Sequence, residues 1–332
     1  MENGEGRGIA PPFTGAANAA PFSCDCMREK EAARLHFAWT VAPQEANKYL
    51  RDFLRARGMT ASLMRSIKPA GGFFCGGAPI FTNQRVTAGQ CISFELPPER
   101  STEVCPQDLP LSVVYEDRHT MVLDKPAGMT VHPTRGYQDG TLANAFRGLM
   151  AKRGSGAPFR PINRLDRGVS GLVLCAMNAY AAPLLAASAR KVYYAIAEGR
   201  VEAEEQVIDA PLAPMSDSII RRCVRADGKP SRTACTVLAR GGGHTLLRVV
   251  PLTGRTHQIR AHCAHIGHPL AGDDLYGGST ECLSRPALHC GVISFTVPET
   301  SKTCTVRAPL PPDLCQFLDN CGIQRVDICV FP

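Results

Sequence analysis

The chain is predicted to adopt an α+β fold, in which helices flank a mainly antiparallel sheet and a smaller α/β unit precedes it. One observation is a set of short apolar runs paired around polar or glycine-rich turns, as expected for β-hairpins. Another is that helical apolar patterns interrupt these pairs, which is typical of α+β domains. A length of 332 residues with 44% hydrophobic residues allows two domains with substantial cores.

Changes in composition predict where the domains begin and end. Residues 1–35 are rich in small and polar residues and have little apolar periodicity, so we expect them to be disordered. Residues 36–97 are expected to form the smaller unit, and the prolines within residues 98–110 indicate a linker. Residues 111–332 would then form the larger domain.

The smaller unit is predicted to combine two helices with short strands. Apolar residues fall on one side of residues 46–58, which predicts a helix that stops at Gly58. A second helix is expected near residues 60–68, ahead of short strands around Phe73 and Ile92. The basic residues of these helices are candidates for phosphate contacts or, equally, for an ordinary solvated surface. They are Arg51, Arg55, Arg57, Arg65 and Lys68.

Strands of the larger domain are predicted from apolar runs beside turn residues. These runs occupy residues 113–115, 121–123, 172–177, 191–197, 233–238 and 245–250. A helix is predicted from Thr256, as its N-terminal cap, to about Ile266, with Gly267 just after its end. The apolar residues of this helix form one stripe, and Arg260 lies off that stripe, free to reach outward.

Composition favours a reducing compartment and, weakly, an anionic partner, since the net charge is +7. No apolar run approaches the length of a membrane span, and the N-terminus, with Glu2 and Glu5, lacks the hydrophobic segment of a signal peptide. The 15 cysteines are scattered and odd in number, which argues against a disulfide framework and for small buried thiols. We therefore expect a cytoplasmic protein that does not enter membranes.

Residues 160–172 hold the most informative motif, Arg-Pro-Ile-Asn-Arg-Leu-Asp-Arg-Gly-Val-Ser-Gly-Leu. Asp166 lies between Arg164 and Arg167 in a turn that leads into an apolar run, which predicts a carboxylate at the mouth of a buried strand. The neighbouring cations favour its ionised form. On this segment alone, a structural aspartate that holds the turn through ion pairs is the favoured interpretation.

A second motif, Leu-Thr-Gly-Arg-Thr-His-Gln-Ile-Arg-Ala-His at residues 252–262, changes that interpretation. Together the two motifs resemble the RluA-type pseudouridine synthases, which isomerise uridine in RNA. The resemblance extends from about Leu111 to about Leu318, and several spaced motifs are more specific than one short pattern. Further matching segments are residues 115–117, 124–128, 191–193 and 267–273.

The resemblance implies a pseudouridine synthase catalytic domain. Separately, the order of helices and short strands in residues 36–97 resembles an S4-like RNA-binding domain. The resemblance to the synthases also implies that Asp166 is the catalytic carboxylate, that Tyr193 stacks near the uracil and that Arg260 pairs with Asp166. Strand alternation separately favours Tyr193, because Tyr194 falls on the face expected to be core. Asp166 would either attack ribose C1′ or remove the C2′ proton, and the sequence leaves both routes open.

The nucleotide must be flipped out of its helix to reach such a site. Asn163 stands where the family often has His, and Val169 stands where Thr is usual. The basic stretch of residues 221–232 is expected to be either a loop facing RNA or a solvated loop. Candidate contacts to phosphate or to the flipped nucleotide are Lys125, Asn163, Arg164, Arg167, Arg255, Thr256, His257 and Gln258.

RNA is the expected partner of a monomeric enzyme, and the basic smaller unit favours large-subunit ribosomal RNA over transfer RNA. The isomerisation involves no net redox change and no hydrolysis, so no cofactor is expected. Four histidines within residues 257–268 suggest a zinc hydrolase as a rival, but their spacing is not that of a zinc site, so no metal is predicted. The other rival is a non-catalytic RNA-binding or ribosome-assembly protein of the same fold, which the presence of Asp166, Tyr193 and Arg260 together disfavours.

Overall fold

The computed structural model describes residues 35–99, 104–216 and 218–324. Apart from residue 35, the segment predicted to be disordered lies outside the described residues. The first part of the described chain forms a four-stranded antiparallel sheet. Its strands are β1 (His36–Thr40), β2 (Phe73–Cys75), β3 (Ala78–Ile80) and β4 (Cys91–Glu95). They lie side by side in the order β1-β4-β2-β3.

The first helix of this sheet, α1 (Leu50–Ala56), is shorter than the predicted range of 46–58. Asn47 adopts a left-handed backbone with φ of 66°, and Tyr49 is extended, so the chain enters the helix only after both residues. Gly58 follows with φ of 82°, a conformation that glycine adopts at little cost, and it ends the helix as predicted.

The second helix, α2 (Ala61–Ile67), lies where the sequence predicted it. Its first turn is capped by Thr60, whose Oγ1 accepts a hydrogen bond of 3.2 Å from the backbone N–H of Leu63. The next two strands, β2 and β3, form a tight hairpin through Gly76 and Gly77, with φ of 58° and 85°. Positive φ at both central residues matches the twist of adjacent strands, which is why glycines occupy this turn.

The remaining strands belong to a larger sheet and to a separate two-stranded ribbon. They are β5 (Ser112–Glu116), β6 (Thr120–Lys125), β7 (Ser170–Ala176), β8 (Arg190–Glu198), β9 (Glu205–Asp209), β10 (Leu212–Met215), β11 (Ser218–Val224), β12 (Arg232–Gly241), β13 (His244–Pro251), β14 (Leu288–Thr296) and β15 (Thr303–Arg307). The ribbon pairs β10 with β11, and the other nine strands form the sheet in the order β5-β6-β7-β14-β8-β13-β12-β9, with β15 alongside β14. Among the strands of the described residues, β7 and β14 alone pair in parallel, so the predicted mainly antiparallel α+β fold is confirmed.

Four longer helices accompany the larger sheet in the described part of the chain. They are α3 (Leu142–Lys152), α4 (Ala181–Ser188), α5 (Gln258–His265) and α6 (Pro312–Asn320). The apolar faces of α3, α4 and α5 pack with β6, β7 and β8 in one large core. The apolar face of α6 belongs to a second cluster with residues of β8 and β13. The predicted hairpins β5–β6 and β12–β13 are confirmed by their antiparallel registers.

Strand β14 holds the centre of the larger sheet, because it pairs with β7, β8 and β15. One row across three strands matters for the site: Gly171 of β7 and Tyr193 of β8 both lie opposite Cys290 of β14. Neighbouring strands are about 4.8 Å apart. Gly171 and Tyr193 therefore lie close together, one on each side of β14. All seven residues of β7 are buried, as its continuous apolar run predicted.

The small sheet packs against the segment that leads into α4. Tyr180, just before α4, is buried in the aromatic core of the small sheet, and its hydroxyl donates a hydrogen bond of 3.0 Å to the Arg57 carbonyl. Glu99 forms an ion pair with Arg160 and accepts a hydrogen bond of 2.9 Å from the backbone of Ala179. These contacts join segments distant in sequence, so the chain pattern did not predict them.

Two segments differ from their expected conformation. The basic stretch within residues 221–232 includes β11, so Arg221 and Arg222 lie on a paired strand, not in a loop. Part of the expected linker is fixed on α3, where Asn144 Nδ2 donates to the Cys105 carbonyl at 2.9 Å.

The described cysteines are all free thiols, but only four of them are buried, which is fewer than expected. The four are Cys175, Cys235, Cys263 and Cys290. Across the described ranges, the helices are too short or too polar for any of them to cross a bilayer.

Gly171 is required by the close approach of β7 and β14. Its φ is 111°, and a Cβ atom there would lie 2.4 Å from the Cys290 carbonyl oxygen. Backbone atoms cannot yield as a flexible side chain can, so we expect Gly171→Ala to lower the free energy of unfolding by at least about 2 kcal/mol. Urea denaturation measures this change. Gly136→Ala, at an exposed position with no atom within 4 Å, is the matched control and should change stability little.

The buried imidazole of His289 should make folding sensitive to acid. Its Nδ1 lies 3.0 Å from Ser170 Oγ, and burial lowers the pKa of His289 from 6.5 to about 4. Between these values the unfolded chain binds the proton more readily, so stability falls as the pH falls from 6.5 towards 4.

We expect wild-type protein to lose about 3 kcal/mol more unfolding free energy than His289→Asn over this interval. The asparagine amide can still pair with Ser170 but does not titrate. Urea denaturation at stepped pH measures the difference, and equal acid sensitivity of the two proteins would contradict this origin.

Candidate active site

A pocket with a volume of ≈ 640 Å³ opens beside the row formed by Gly171, Cys290 and Tyr193. This volume is in the range of pockets that enclose a ligand of nucleotide size. The pocket is built from the loop before β7, the start of β8 and the turn between β13 and α5. Ten of the predicted site residues line it: Asn163, Arg164, Asp166, Arg167, Tyr193, Arg255, Thr256, His257, Gln258 and Arg260.

The loop that carries Asp166 is held on both sides of that residue. The backbone N–H of Gly128 donates to the Arg167 carbonyl at 2.8 Å, and Val169 N–H closes the turn onto the Asp166 carbonyl at 3.1 Å. Pro286 packs against Gly168, where a Cβ atom would lie 2.9 Å from the proline Cδ. The Asp166 side chain is 29% exposed, so a fixed loop presents a carboxylate that a ligand in the pocket can reach.

Arg260 of α5 approaches Asp166 through one nitrogen only, with Nη1 at 3.1 Å from Oδ2. Its other donors, Nε and Nη2, bind both oxygens of Asp273 at 2.6 and 2.7 Å. The expected pairing of Arg260 with Asp166 is present, but through a single hydrogen bond, and the two-pronged pairing of the guanidinium is made with Asp273. Arg260 is buried and not free to reach outward; burial opposes its charge, but the two carboxylates together raise the pKa of Arg260.

His257 also approaches the Asp166 carboxylate, with Nε2 at 3.7 Å from Oδ2, the oxygen that Arg260 contacts. It precedes α5 in a left-handed conformation, φ of 54°, which costs energy for a residue other than glycine. Its Nδ1 lies 3.2 Å from the Tyr276 hydroxyl, which fixes the ring between Asp166 and Tyr276. Burial lowers the pKa of His257, with Asp166 opposing the shift, so the imidazole is neutral at pH 7.

Thr256 does not cap α5 as predicted, because His257 occupies the capping position with no side-chain hydrogen bond to the helix. The predicted end of the helix is correct: Gly267 follows Ile266 with φ of 84°. Thr256 and Arg255 are exposed at the pocket rim, where Arg255 Nε donates to the Pro230 carbonyl at 3.2 Å.

Tyr193 faces the pocket, whereas its neighbour Tyr194 is buried in a different cluster with Val292. This is the orientation that strand alternation predicted. Burial raises the pKa of the Tyr193 hydroxyl well above its usual value, and Cys290 and Asp166 add to the effect. The hydroxyl therefore keeps its proton at neutral pH and can donate a hydrogen bond.

Lys125 does not occupy the position expected of a phosphate contact. Its side chain is fully buried and lies outside the pocket lining, and Nζ donates to the carbonyls of Pro126, Met129 and Arg167 at 2.8, 2.8 and 3.4 Å. An ammonium group has three donors, and all three are used. Burial lowers the pKa of Lys125 to about 7, against the charge of Asp166. Lys125 ties the 126–129 turn to the Asp166 loop.

Asn163 and Gln258 line the pocket, but their side-chain amides form hydrogen bonds to backbone groups of the protein. Asn163 Nδ2 donates to the Leu172 carbonyl at 3.0 Å, and its Oδ1 accepts from Leu174 N–H at 2.8 Å. Gln258 Nε2 donates to the Arg232 carbonyl at 2.9 Å, and its Oε1 accepts from Arg255 N–H at 3.0 Å. Both side chains brace the walls of the pocket, and this arrangement disagrees with their expected role in direct nucleotide contact.

Besides Arg255 at the rim, the exposed cations that line the pocket are Arg164 and Arg167. Arg167 Nε donates to the Gly128 carbonyl at 3.0 Å, and its guanidinium lies 4.4 Å from the centre of the Tyr137 ring. Arg164 lies near His132, whose pKa is lowered by burial and by the Arg164 charge. These two residues are therefore placed where a phosphate entering the pocket would meet positive charge.

Asp273 and Tyr276 are contacts that sequence reasoning missed. The Arg260 guanidinium lies 5.1 Å from the centre of the Tyr276 ring, and the Tyr276 hydroxyl accepts from Arg222 N–H at 2.9 Å. Asp273 stood within a segment that matched the family, residues 267–273, but nothing in its spacing related it to Arg260.

The histidines considered as metal ligands have separate partners. His262 is buried between Thr233 Oγ1 and the Ala210 carbonyl, at 2.8 and 2.9 Å. His268 Nδ1 lies 2.9 Å from the Glu198 carbonyl. Within the described residues, no group of three or more histidine, cysteine or acidic side chains is arranged to hold a metal ion.

Comparisons with known proteins agree with this geometry. A family model described as RNA pseudouridylate synthase matches residues 119–265. An uncharacterized RNA pseudouridine synthase, YjbO of Bacillus subtilis (strain 168), is 32% identical over 276 residues, covering 81% of this chain and 98% of that protein. Ribosomal large subunit pseudouridine synthase D of Xanthomonas campestris pv. campestris is 37% identical over 249 residues, covering 68% and 74%.

A solved structure shares the fold. Human RNA Pseudouridylate Synthase Domain Containing 1 has 27% sequence identity and a TM-score of 0.52, and the match covers 62% of this chain and 85% of that chain. Since relatives match over most of their length and the two predicted motifs meet in one pocket, the chain belongs to the RNA pseudouridine synthases, within the RluA type that those motifs indicated.

Proposed function

We propose that this enzyme converts uridine to pseudouridine in large-subunit ribosomal RNA, with Asp166 as the catalytic carboxylate. The observation that carries the assignment of Asp166 is its placement: it is a partly exposed carboxylate in the pocket, and Oδ2 makes its contacts with both Arg260 and the neutral imidazole of His257. The other oxygen, Oδ1, is then available to a nucleotide bound in the pocket.

The reaction needs one carboxylate at the ribose. The bond from uracil N1 to ribose C1′ breaks, the base turns, and a bond from C5 to C1′ forms, while C5 loses a proton and N1 gains one. Asp166 either attacks C1′ to give an ester or removes the C2′ proton to give a glycal. No electrons are transferred to an acceptor and no water is consumed, so the proposed reaction needs no cofactor.

Arg260 and Tyr193 are proposed to serve this carboxylate. Arg260 Nη1 donates to Asp166 Oδ2 at 3.1 Å, and this ion pair holds the carboxylate in a fixed orientation in the pocket. Tyr193 lines the same space, and its aromatic ring is suited to contact with the uracil, while its hydroxyl pairs with Cys290. Both groups are carried on regular elements, α5 and β8, so their positions are fixed before the nucleotide enters.

RNA contacts are proposed at the exposed cations around the pocket and on the small sheet. Arg164, Arg167 and Arg255 would meet phosphates near the flipped nucleotide. On the small sheet, which we propose to be an S4-like RNA-binding domain, the Tyr49 ring lies 4.5 Å from the guanidinium groups of both Arg51 and Arg85. Among the candidate cations of that sheet, Arg57 is not proposed as a contact, because it forms an ion pair with Glu45.

The ribosomal target rests on three relatives named Ribosomal large subunit pseudouridine synthase D, which are 34%, 37% and 36% identical to this chain. A cytoplasmic monomer is proposed with it. Transfer RNA is the alternative substrate class, and the same fold without catalysis is the other alternative. One experiment distinguishes both alternatives from the proposed function.

Asp166→Asn should abolish isomerisation while RNA still binds, because the amide can neither attack C1′ nor accept a proton. We expect activity to fall at least about 10³-fold. The measurement is tritium release from RNA labelled at uridine C5, with ribosomal and transfer RNA from a strain lacking the enzyme tested separately. Asp274→Asn, an exposed neighbour of the site, is the matched control.

Release from transfer RNA alone would reassign the substrate. Equal release by wild type and Asp166→Asn would remove Asp166 from its proposed role. No release by wild type, with RNA bound, would favour the non-catalytic alternative.

Arg164→Gln should weaken the binding of RNA more than it lowers the rate of isomerisation of RNA that is already bound. One lost phosphate contact reduces the slope of log affinity against log salt concentration by about 1. Fluorescence anisotropy of labelled RNA over a salt series measures this slope. Arg200→Gln, which removes an exposed cation outside the pocket lining, should leave the slope nearer to wild type. An unchanged slope for Arg164→Gln would contradict a phosphate contact there.

A further inference from the structure

We propose that Asp273 is a positioning residue for the isomerisation: it holds Arg260 so that the guanidinium offers Asp166 a single donor. The inference rests on the proposed role of Asp166. It assigns a task to a side chain that lies behind the pocket and does not contact the nucleotide. The task is to fix both the direction and the charge balance of Arg260.

The hydrogen bonds of Arg260 divide unequally between the two carboxylates. Asp273 accepts from Nε at 2.6 Å and from Nη2 at 2.7 Å, which is the two-pronged geometry that carboxylates and guanidinium groups prefer. Asp166 accepts from Nη1 alone at 3.1 Å. The stronger, shorter contacts are therefore on the side away from the pocket, and the guanidinium plane is set by Asp273.

Asp273 is suited to this task because its side chain is buried and its backbone is held by hydrogen bonds. Its side chain is fully buried, and that of Arg260 is 8% exposed. The backbone around it is a closed turn: Asp273 N–H donates to the Leu270 carbonyl at 3.1 Å, and Gly278 N–H donates to the Asp273 carbonyl at 2.9 Å. A Cβ atom at Gly278 would lie 2.0 Å from the Leu270 oxygen, so the turn is packed to its limit.

Tyr276 completes the support for Arg260. Its ring centre lies 5.1 Å from the guanidinium, a distance at which an aromatic face attracts a cation. The ring also stands at 81° to that of His257, with 5.8 Å between their centres. Asp273 and Tyr276 belong to the same turn, so one segment of the chain fixes the cation from two directions.

The charge balance explains why a second carboxylate is useful. A buried guanidinium facing Asp166 alone would turn its fork to that carboxylate and occupy both oxygens, since two-pronged pairing is the favoured geometry. Because Asp273 accepts two hydrogen bonds from the guanidinium, it already compensates the positive charge of Arg260. Oδ1 of Asp166 is then available to the ribose. Removal of Asp273 would therefore impair the chemical step more than the binding of RNA.

The test is the steady-state kinetics of Asp273→Asn, expressed per folded molecule from circular dichroism and RNA-binding stoichiometry. We expect kcat to fall about 10²-fold, as for a misplaced catalytic group, with KM changed less than about twofold. Asp274→Asn is the matched control, because it is the adjacent, exposed aspartate whose Oδ1 accepts only a local backbone hydrogen bond. It should keep the wild-type kcat.

A double variant distinguishes a role of Asp273 in positioning Arg260 from a general structural effect of the substitution. If Asp273 acts through Arg260, then Asp273→Asn combined with Arg260→Gln should be no slower than Arg260→Gln alone. A merely structural effect would multiply the two losses. If Asp273→Asn does not fold, Asp273→Ser, which leaves room for water, takes its place in both measurements.

An unchanged kcat in the Asp273 variant, or multiplicative losses in the double variant, would overturn the inference. Activity retained by Asp166→Asn would instead overturn the proposed function, so the two failures are distinguishable.

Discussion

The ion pair between Arg260 and two carboxylates is the interaction on which the pocket depends. A guanidinium that is 8% exposed cannot stay charged and dry without partners, so its surroundings must supply negative charge. Asp273 supplies it from a closed turn and Asp166 from the loop before β7. The contact thereby joins α5 to two segments that are far apart in the chain, the Asp166 loop in the pocket wall and the Asp273 turn behind the pocket.

The larger sheet provides the frame for this contact. Strand β14 pairs with both β7 and β8, and it places Gly171 and Tyr193 in one row with Cys290. The Asp166 loop ends where β7 begins, so the register that positions Tyr193 also positions the Asp166 carboxylate. Lys125, Asn163 and the close approach at Gly171 then brace the loop from behind.

Much of the fold could be predicted because hydrophobic periodicity reports burial directly. The strands β5 to β8, β12 and β13 follow apolar runs, and α2 follows its threonine cap. The start of α1 was misplaced because Asn47 takes a positive φ that no periodicity records. The basic stretch near Arg221 became a strand because pairing with β10 satisfies its backbone, which composition does not show.

The sequence by itself determined the identity of the chemical groups, since motif residues such as Asp166, Arg260 and Tyr193 are recognisable wherever the chain folds. Only the tertiary structure decided how they are used. It directed the two-pronged hydrogen bonding of Arg260 to Asp273 and buried Lys125 among backbone carbonyls. It also bound the side-chain amides of Asn163 and Gln258 to the backbone of the pocket walls. The physical reason is that hydrogen-bond partners are set by distance in space, and spacing along the chain records that distance only within single helices and hairpins.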